Sequence, residues 1–122
     1  MKFNEYFKGE YIDLVGKTSL VDLLYIIYNG NLMVSNETSA PHFANALEMI
    51  SIFTIYNGNH YGRFIPYPEE VSENYHVIYH PEIDKDLDNY KKLSNSYGFG
   101  SSLDINEISV ESIKSKIDGA LK

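Results

Sequence analysis

The sequence predicts an α+β fold: one domain over residues 1–122, with a mostly antiparallel sheet around a central hairpin and helices packed on one face. Three observations lead there. A length of 122 residues falls in the single-domain range, and 43% apolar with 14% aromatic residues is enough for a core. Residues Ile50 to Tyr56 are dense in β-branched and aromatic side chains, which favour strands. They run into Asn57-Gly58, the strongest short hairpin signal in the chain, because a type I′ turn needs positive φ at both central residues.

The elements follow in order. Phe3, Tyr6 and Phe7 fall at helical spacing and predict a short opening helix closed by Gly9. Tyr11 to Val15 alternates weakly as a strand. Leu20, Leu23, Leu24 and Ile27 form the i, i+3, i+4, i+7 stripe of a half-buried helix. Thr18 or Ser19 would cap its start, and Gly30 would end it in the left-handed region. A strand is expected over Leu32–Ser35, then a polar loop from Asn36 to Ala40. Pro41 suits the first turn of a helix through His42, Phe43, Ala44, Ala46, Leu47 and Met49.

After the Ile50–Tyr56 strand and its turn, Tyr61 to Ile65 is the expected returning strand, stopped by Pro66 and Pro68. Tyr75 to Tyr79 reads as a third strand ended by Pro81. A helix starting at Asp84 would carry Leu87, Tyr90, Leu93 and Tyr97 to a stop at Gly98. Leu103 to Ile108 alternates as a strand. Ser109 caps a last helix bearing Val110, Ile113 and Ile117, with Lys114 and Lys116 near the negative end of its dipole. The pentapeptide Ile27-Tyr28-Asn29-Gly30-Asn31 recurs at Ile55 to Asn59, but the flanks do not match and turn chemistry accounts for both copies.

Composition excludes several functions. With no cysteine there is no disulfide, thiolate metal site or thiol nucleophile, which suits the reducing cytoplasm. The N-terminus lacks an apolar signal region, and the longest apolar run, Leu23 to Tyr28, is far short of the ~20 residues that span a bilayer. A net charge of −7 with scattered bases argues against nucleic acid and anionic membrane as partners.

Local motifs add little. Val15-Gly16-Lys17-Thr18 lacks the earlier glycine of a phosphate-binding loop, since position 11 is tyrosine. Gly98 to Ser102 follows a helix, not a strand, and so fails as a dinucleotide loop. Asp84, Asp86 and Asp88 have the opening spacing of a calcium loop, but Asn89 and Asn95 stand where its glycine and glutamate belong. His76 and His80, on one strand face, would lie ~13 Å apart, too far to share an ion. No metal or other cofactor is expected.

The charge is concentrated. Between Tyr67 and Tyr90 lie seven acids (Glu69, Glu70, Glu73, Glu82, Asp84, Asp86, Asp88) against Lys85 alone. The net charge divides as −2 for 1–66, −6 for 67–90 and +1 for 91–122. Tyr67, Tyr75, Tyr79 and Tyr90 stand among those acids, and tyrosine anchors interfaces while carboxylates steer basic partners. In size, acidity and lack of a catalytic motif the chain is similar in type to bacterial immunity proteins and antitoxins, although no segment aligns. That resemblance implies a cytoplasmic 1:1 inhibitor of a basic, nuclease-type toxin. Its expected contact surface is Tyr67, Glu69, Glu70, Glu73, Tyr75, Tyr79, Glu82, Asp84, Asp86 and Asp88, with no catalytic residue and an open oligomeric state. Two alternatives stand beside it: a small hydrolase or nucleic-acid-modifying enzyme using His60, Arg63 and His76, and a homo-oligomeric interaction protein.

Overall fold

The computed structural model describes residues 7–60, 65–68, 70, 72–89 and 100–122. Helix α1 (Leu20–Tyr28) leads into strand β1 (Leu32–Asn36), helix α2 (Ser39–Ala46) and strand β2 (Ser51–Tyr56). Strand β3 (Tyr75–Tyr79), the one-turn helix α3 (Pro81–Asp84), a 3-10 turn (Ile105–Glu107) and helix α4 (Val110–Ala120) complete the order.

The sheet has three strands in the order β1-β2-β3, and both pairings are parallel. Val34 sits opposite Phe53 in the first pairing, and Thr54 opposite Val77 in the second. This overturns the expected antiparallel sheet around a hairpin. Asn57-Gly58 does not reverse the chain onto its own strand. Gly58 does have φ of 90°, but Asn57 stays at negative φ, so a type I′ turn does not form. Instead the Asn57 side chain accepts from the Asn59 amide at 3.2 Å and donates to the Leu103 carbonyl at 3.2 Å. The expected returning strand over 61–65 lies outside the described residues except for Ile65, which is in a bend.

A parallel sheet must be covered on both faces, and here it is. On one face Leu23 and Ile27 of α1, Phe43 and Ala44 of α2, and Leu47 just past it pack with Met33, Ile52, Tyr75 and Val77. On the other, Phe53, Ile55 and Ile78 meet Ile105 and Ile108 together with Ile113 and Ile117 of α4. Helices on one face only, as expected from the sequence, is therefore corrected too. Because β2 lies between two neighbours and two layers, Ile52, Phe53, Thr54 and Tyr56 are all buried.

The local signals explain most elements. Ser19 opens α1 with a reciprocal cap: its Oγ accepts from the Asp22 amide at 3.1 Å, and Asp22 Oδ2 accepts from the Ser19 amide at 2.9 Å. Hydrogen bonds from the Ser19 amide and then its hydroxyl hold the Asp22 carboxyl below its ordinary pKa. α1 closes on Asn29 in right-handed geometry, not on a left-handed Gly30. α2 begins two residues before Pro41, and Ser109 caps α4 through the Ser112 amide at 3.1 Å. Since α4 runs on to Ala120, Lys114 and Lys116 lie mid-helix and no base occupies its last turn.

Two expected strands are absent. Residues 11–15 are irregular, with Lys17 N–H bonded to the Leu14 carbonyl in a turn at Gly16 (φ 69°). Asp104 accepts from the Asn106 amide at 2.9 Å and starts the 3-10 turn, so the apolar alternation at 103–108 serves to place Ile105 and Ile108 under α4. The opening helix and most of the helix beyond Asn89 fall outside the described residues.

Truncating the most central side chain gives a direct check. Phe53→Ala removes a fully buried ring between two layers and is expected to lower unfolding free energy by about 3–5 kcal/mol. Urea denaturation should report this as a fall in midpoint with an unchanged slope.

Candidate functional site

Because all three strands run the same way, their carboxyl ends lie along one edge of the sheet. In open parallel sheets that edge is where ligands bind, in the loops between strands and helices. Here the edge is formed by Glu37-Thr38 entering α2, by residues 57–60 after β2, and by His80 entering α3. Residues 101–107 wall it: Asn59 Oδ1 accepts from the Ser101 amide at 3.2 Å, and His80 Nε2 meets Glu107 Oε2 at 2.8 Å.

The starts of the three longer helices differ in one respect: Ser109 caps α4 as Ser19 caps α1, and α2 stands apart. The Ser19–Asp22 box closes the amino end of α1, whereas Thr38 at the amino end of α2 makes no side-chain capping bond. The first amides of α2 therefore face the edge without a capping side chain, and partial positive charge gathers there. The α2 start also carries a side-chain relay. The Tyr67 hydroxyl and His42 Nδ1 are 2.7 Å apart, and His42 Nε2 is 3.1 Å from Glu37 Oε1. A carboxylate only accepts, so Nε2 carries the proton toward Glu37 and the Tyr67 hydroxyl donates to Nδ1. His42 thus occupies the one carboxylate beside the helix start.

Tyr75 holds this relay from below. It is 8% exposed, stacks on His42 with centroids 6.3 Å apart, and meets the Tyr67 ring edge-on at 4.7 Å. Thr54 Oγ1 donates to the Tyr75 hydroxyl at 2.9 Å within the core. Burial pushes the Tyr75 phenol up to about 12, while the Thr54 bond pulls the other way.

His80 is a second buried histidine, 1% exposed. Its Nδ1 accepts the Glu82 amide at 3.1 Å, leaving the Nε2 proton for Glu107. That pair ties the end of β3 to the 3-10 turn and leaves neither ring nitrogen for a ligand. Among the described residues no group of three or more acids and histidines is arranged to hold a metal ion.

The described residues of the expected contact surface fall into an internal set of tyrosines and two exposed groups of acids. Its tyrosines are internal: Tyr75 is buried, Tyr67 is half-buried against His42, and Tyr79 packs edge-on to Tyr56 at 6.2 Å. Its acids are exposed but divided. Glu70 and Glu73 precede β3, while Glu82, Asp84, Asp86 and Asp88 follow it, with a five-residue strand of about 16 Å between the groups. Glu82 is paired with Lys85 at 2.8 Å, which lowers its carboxyl pKa. Glu69 lies outside the described residues. Of the alternative hydrolase trio, the two described histidines lie toward opposite ends of the sheet. His60 follows the carboxyl end of β2, His76 stacks on Phe53 near the amino end of β3, and Arg63 lies outside the described residues.

The sequence offers Glu37, Thr38 and Ser39 only as part of a polar loop, and His42 only as a residue of the helix after Pro41. The signal that marks them is a polar turn between a strand and a helix in a parallel unit, and it has meaning only once the strand direction is known.

Compared with known families, residues 2–93 match the profile of glycosyltransferase family 9 (heptosyltransferase), three quarters of the 122-residue chain. The match spans α1, β1, α2, β2 and β3, and so includes the whole carboxyl edge of the sheet. No curated protein and no solved structure gave a match. The family match overturns the reading of an immunity protein or antitoxin directed at a nuclease toxin. That reading rested on where charge lies in the sequence, and clustered acids are equally the mark of a solvated surface. Among the described residues no helix is long and apolar enough to cross a membrane.

Tyr75 makes a pH prediction. Its folded-state pKa of about 12 exceeds the 10.0 of an unperturbed tyrosine, so the folded protein keeps this proton longer than the unfolded chain. The stabilisation is fully present below pH 10 and is lost as pH rises toward 12, by roughly 2–3 kcal/mol in all. Thr54→Val removes the bond that opposes the shift and should move the phenol titration, followed by absorbance near 295 nm, to still higher pH. A titration at or below that of free tyrosine would contradict the buried placement.

Proposed function

The chain belongs to glycosyltransferase family 9, and from that premise we propose that it acts in transferring a sugar of the heptose class from a phosphate-activated donor to an acceptor hydroxyl. The family match is the observation that carries this reading, and the carboxyl edge of the sheet supplies its physical basis. In glycosyl transfer the bond between the anomeric carbon and the donor phosphate breaks, and its electron pair stays on the phosphate oxygen. The acceptor oxygen bonds to that carbon and gives up its proton. The protein's main electrostatic task is then to hold the departing phosphate.

The amino end of α2 suits that task. Backbone amides and the helix dipole favour an anion there, as at the phosphate sites of other strand–helix turns. Thr38 leaves the position without a side-chain cap. Glu37 would repel an incoming phosphate, but its carboxylate is engaged by His42, whose far nitrogen Tyr67 holds. In this reading Ser39 and Ala40 contribute amides to the phosphate, and the Glu37–His42–Tyr67 relay keeps the wall beside them in one arrangement. The leaving group assigned to this seat in the proposal is a nucleoside diphosphate. A cytoplasmic location, expected from the cysteine-free sequence, is part of the same proposal.

Ser39→Pro tests the assignment cleanly. Proline is tolerated at the first helical position and Thr38 already has the extended backbone that precedes a proline, so the helix survives and one amide donor is lost. Titration of the chain with ADP, GDP, UDP and CDP, followed calorimetrically and by amide NMR, should find at least one that perturbs the amides of residues 38–42. Ser39→Pro should weaken it roughly tenfold. Binding that leaves those amides unmoved, or that the proline variant retains in full, would place the donor elsewhere.

A further inference from the structure

Strand β1 is one of the two edge strands of the sheet. Among the described residues nothing pairs with its outer side. An edge strand offers unpaired amides and carbonyls at alternate residues, and proteins commonly blunt such an edge with lysine, proline or a bulge. β1, Leu32-Met33-Val34-Ser35-Asn36, carries no charge and no proline.

The surface around the edge is apolar as well. Leu32 and Val34 share one strand face and are 41% and 45% exposed. On the opposite face α1 packs inward through Leu23 and Ile27, while Val21, Tyr25 and Tyr28 are 74%, 70% and 67% exposed. Those five side chains leave on the order of 600 Å² of largely apolar surface in water, the upper end of what a monomer shows. With the edge backbone added, this approaches the ~800 Å² that each partner contributes to a standard interface.

We infer that β1 docks a second copy of this chain, pairing antiparallel with its counterpart about a two-fold axis perpendicular to the sheet, so that two three-stranded sheets become one of six strands. Charge selects this occupant. A chain of net −7 repels its own copy wherever acids lie, but residues 23–36 contain no charged side chain. The same stretch offers a basic or acidic partner nothing to pair with. A two-fold contact needs a self-complementary surface, and an antiparallel edge supplies one. Leu32 and Val34 then face their counterparts across the axis, and the two α1 helices approach each other on the other face.

The test is the mass of the full chain in solution. Sedimentation equilibrium from micromolar to several hundred micromolar should show a shift from 14.0 kDa toward twice that value. Val34→Lys, at a half-exposed position, should keep the circular dichroism of the parent and weaken the dimer at least tenfold. Glu111→Lys, on exposed α4, should leave it unchanged. Because the chain has no cysteine, Val34→Cys gives a single thiol that should oxidise to a covalent dimer. A mass of 14.0 kDa at every concentration overturns the proposal, as does a dimer indifferent to Val34→Lys. Retention of the monomer mass with β1 protected only in the presence of a different polypeptide would assign the edge to that partner instead.

Discussion

The direction of β2 is the constraint on which the rest of this structure depends. It is paired on both sides by strands running the same way, and parallel neighbours cannot be joined by a tight turn. Every return to the sheet must travel its full length, through α2 between β1 and β2 and through residues 57–74 between β2 and β3. Helices α1 and α2 cover one face, α4 and the 3-10 turn cover the other, and Ile52, Phe53, Thr54 and Tyr56 of β2 are buried between them. The same direction brings the carboxyl ends of all three strands to one edge. The core and the candidate site are thus two results of one geometric fact.

The acid-rich stretch illustrates how a charge map differs from a map of function. Its three described tyrosines went inward because each hydroxyl or ring had an internal partner: Thr54 for Tyr75, His42 for Tyr67, Tyr56 for Tyr79. Its carboxylates stayed in water, where ionised groups are cheapest to keep, on both sides of a strand that separates them. What the stretch contributes to the site is the Tyr67 phenol, the buried Tyr75 ring beneath it and His80 at the end of β3.

Elements governed by neighbours in the sequence were legible in it. The α1 stripe and its Ser19 cap, the Ser109 cap of α4, and the strands at Leu32, Ser51 and Tyr75 all follow from spacing and propensity over a few residues. Strand direction was not, because Asn57-Gly58 satisfies its turn chemistry through its own side chain and a distant carbonyl, without any hairpin. One clue was present. Ile52-Phe53-Thr54-Ile55-Tyr56 lacks the polar alternation of a half-exposed antiparallel strand and reads as a run buried on both faces. The Leu103–Ile108 alternation misled for the opposite reason, since a 3-10 turn can bury two isoleucines as well as a strand can. The candidate site inherited the error: a helix start becomes an anion seat only when the preceding strand is known to end there.

The bare start of α2 sets stability and recognition against each other at one position. A capping side chain at a helix start contributes about 1 kcal/mol. Thr38 makes no such bond, so α2 forgoes what Ser19 gives α1. An aspartate there would steady the helix and at the same time fill, with its own carboxylate, the place an external anion would take. Variants chosen only for heat resistance should therefore drift toward filling that place, and laboratory evolution of this chain would need a binding selection to keep position 38 open.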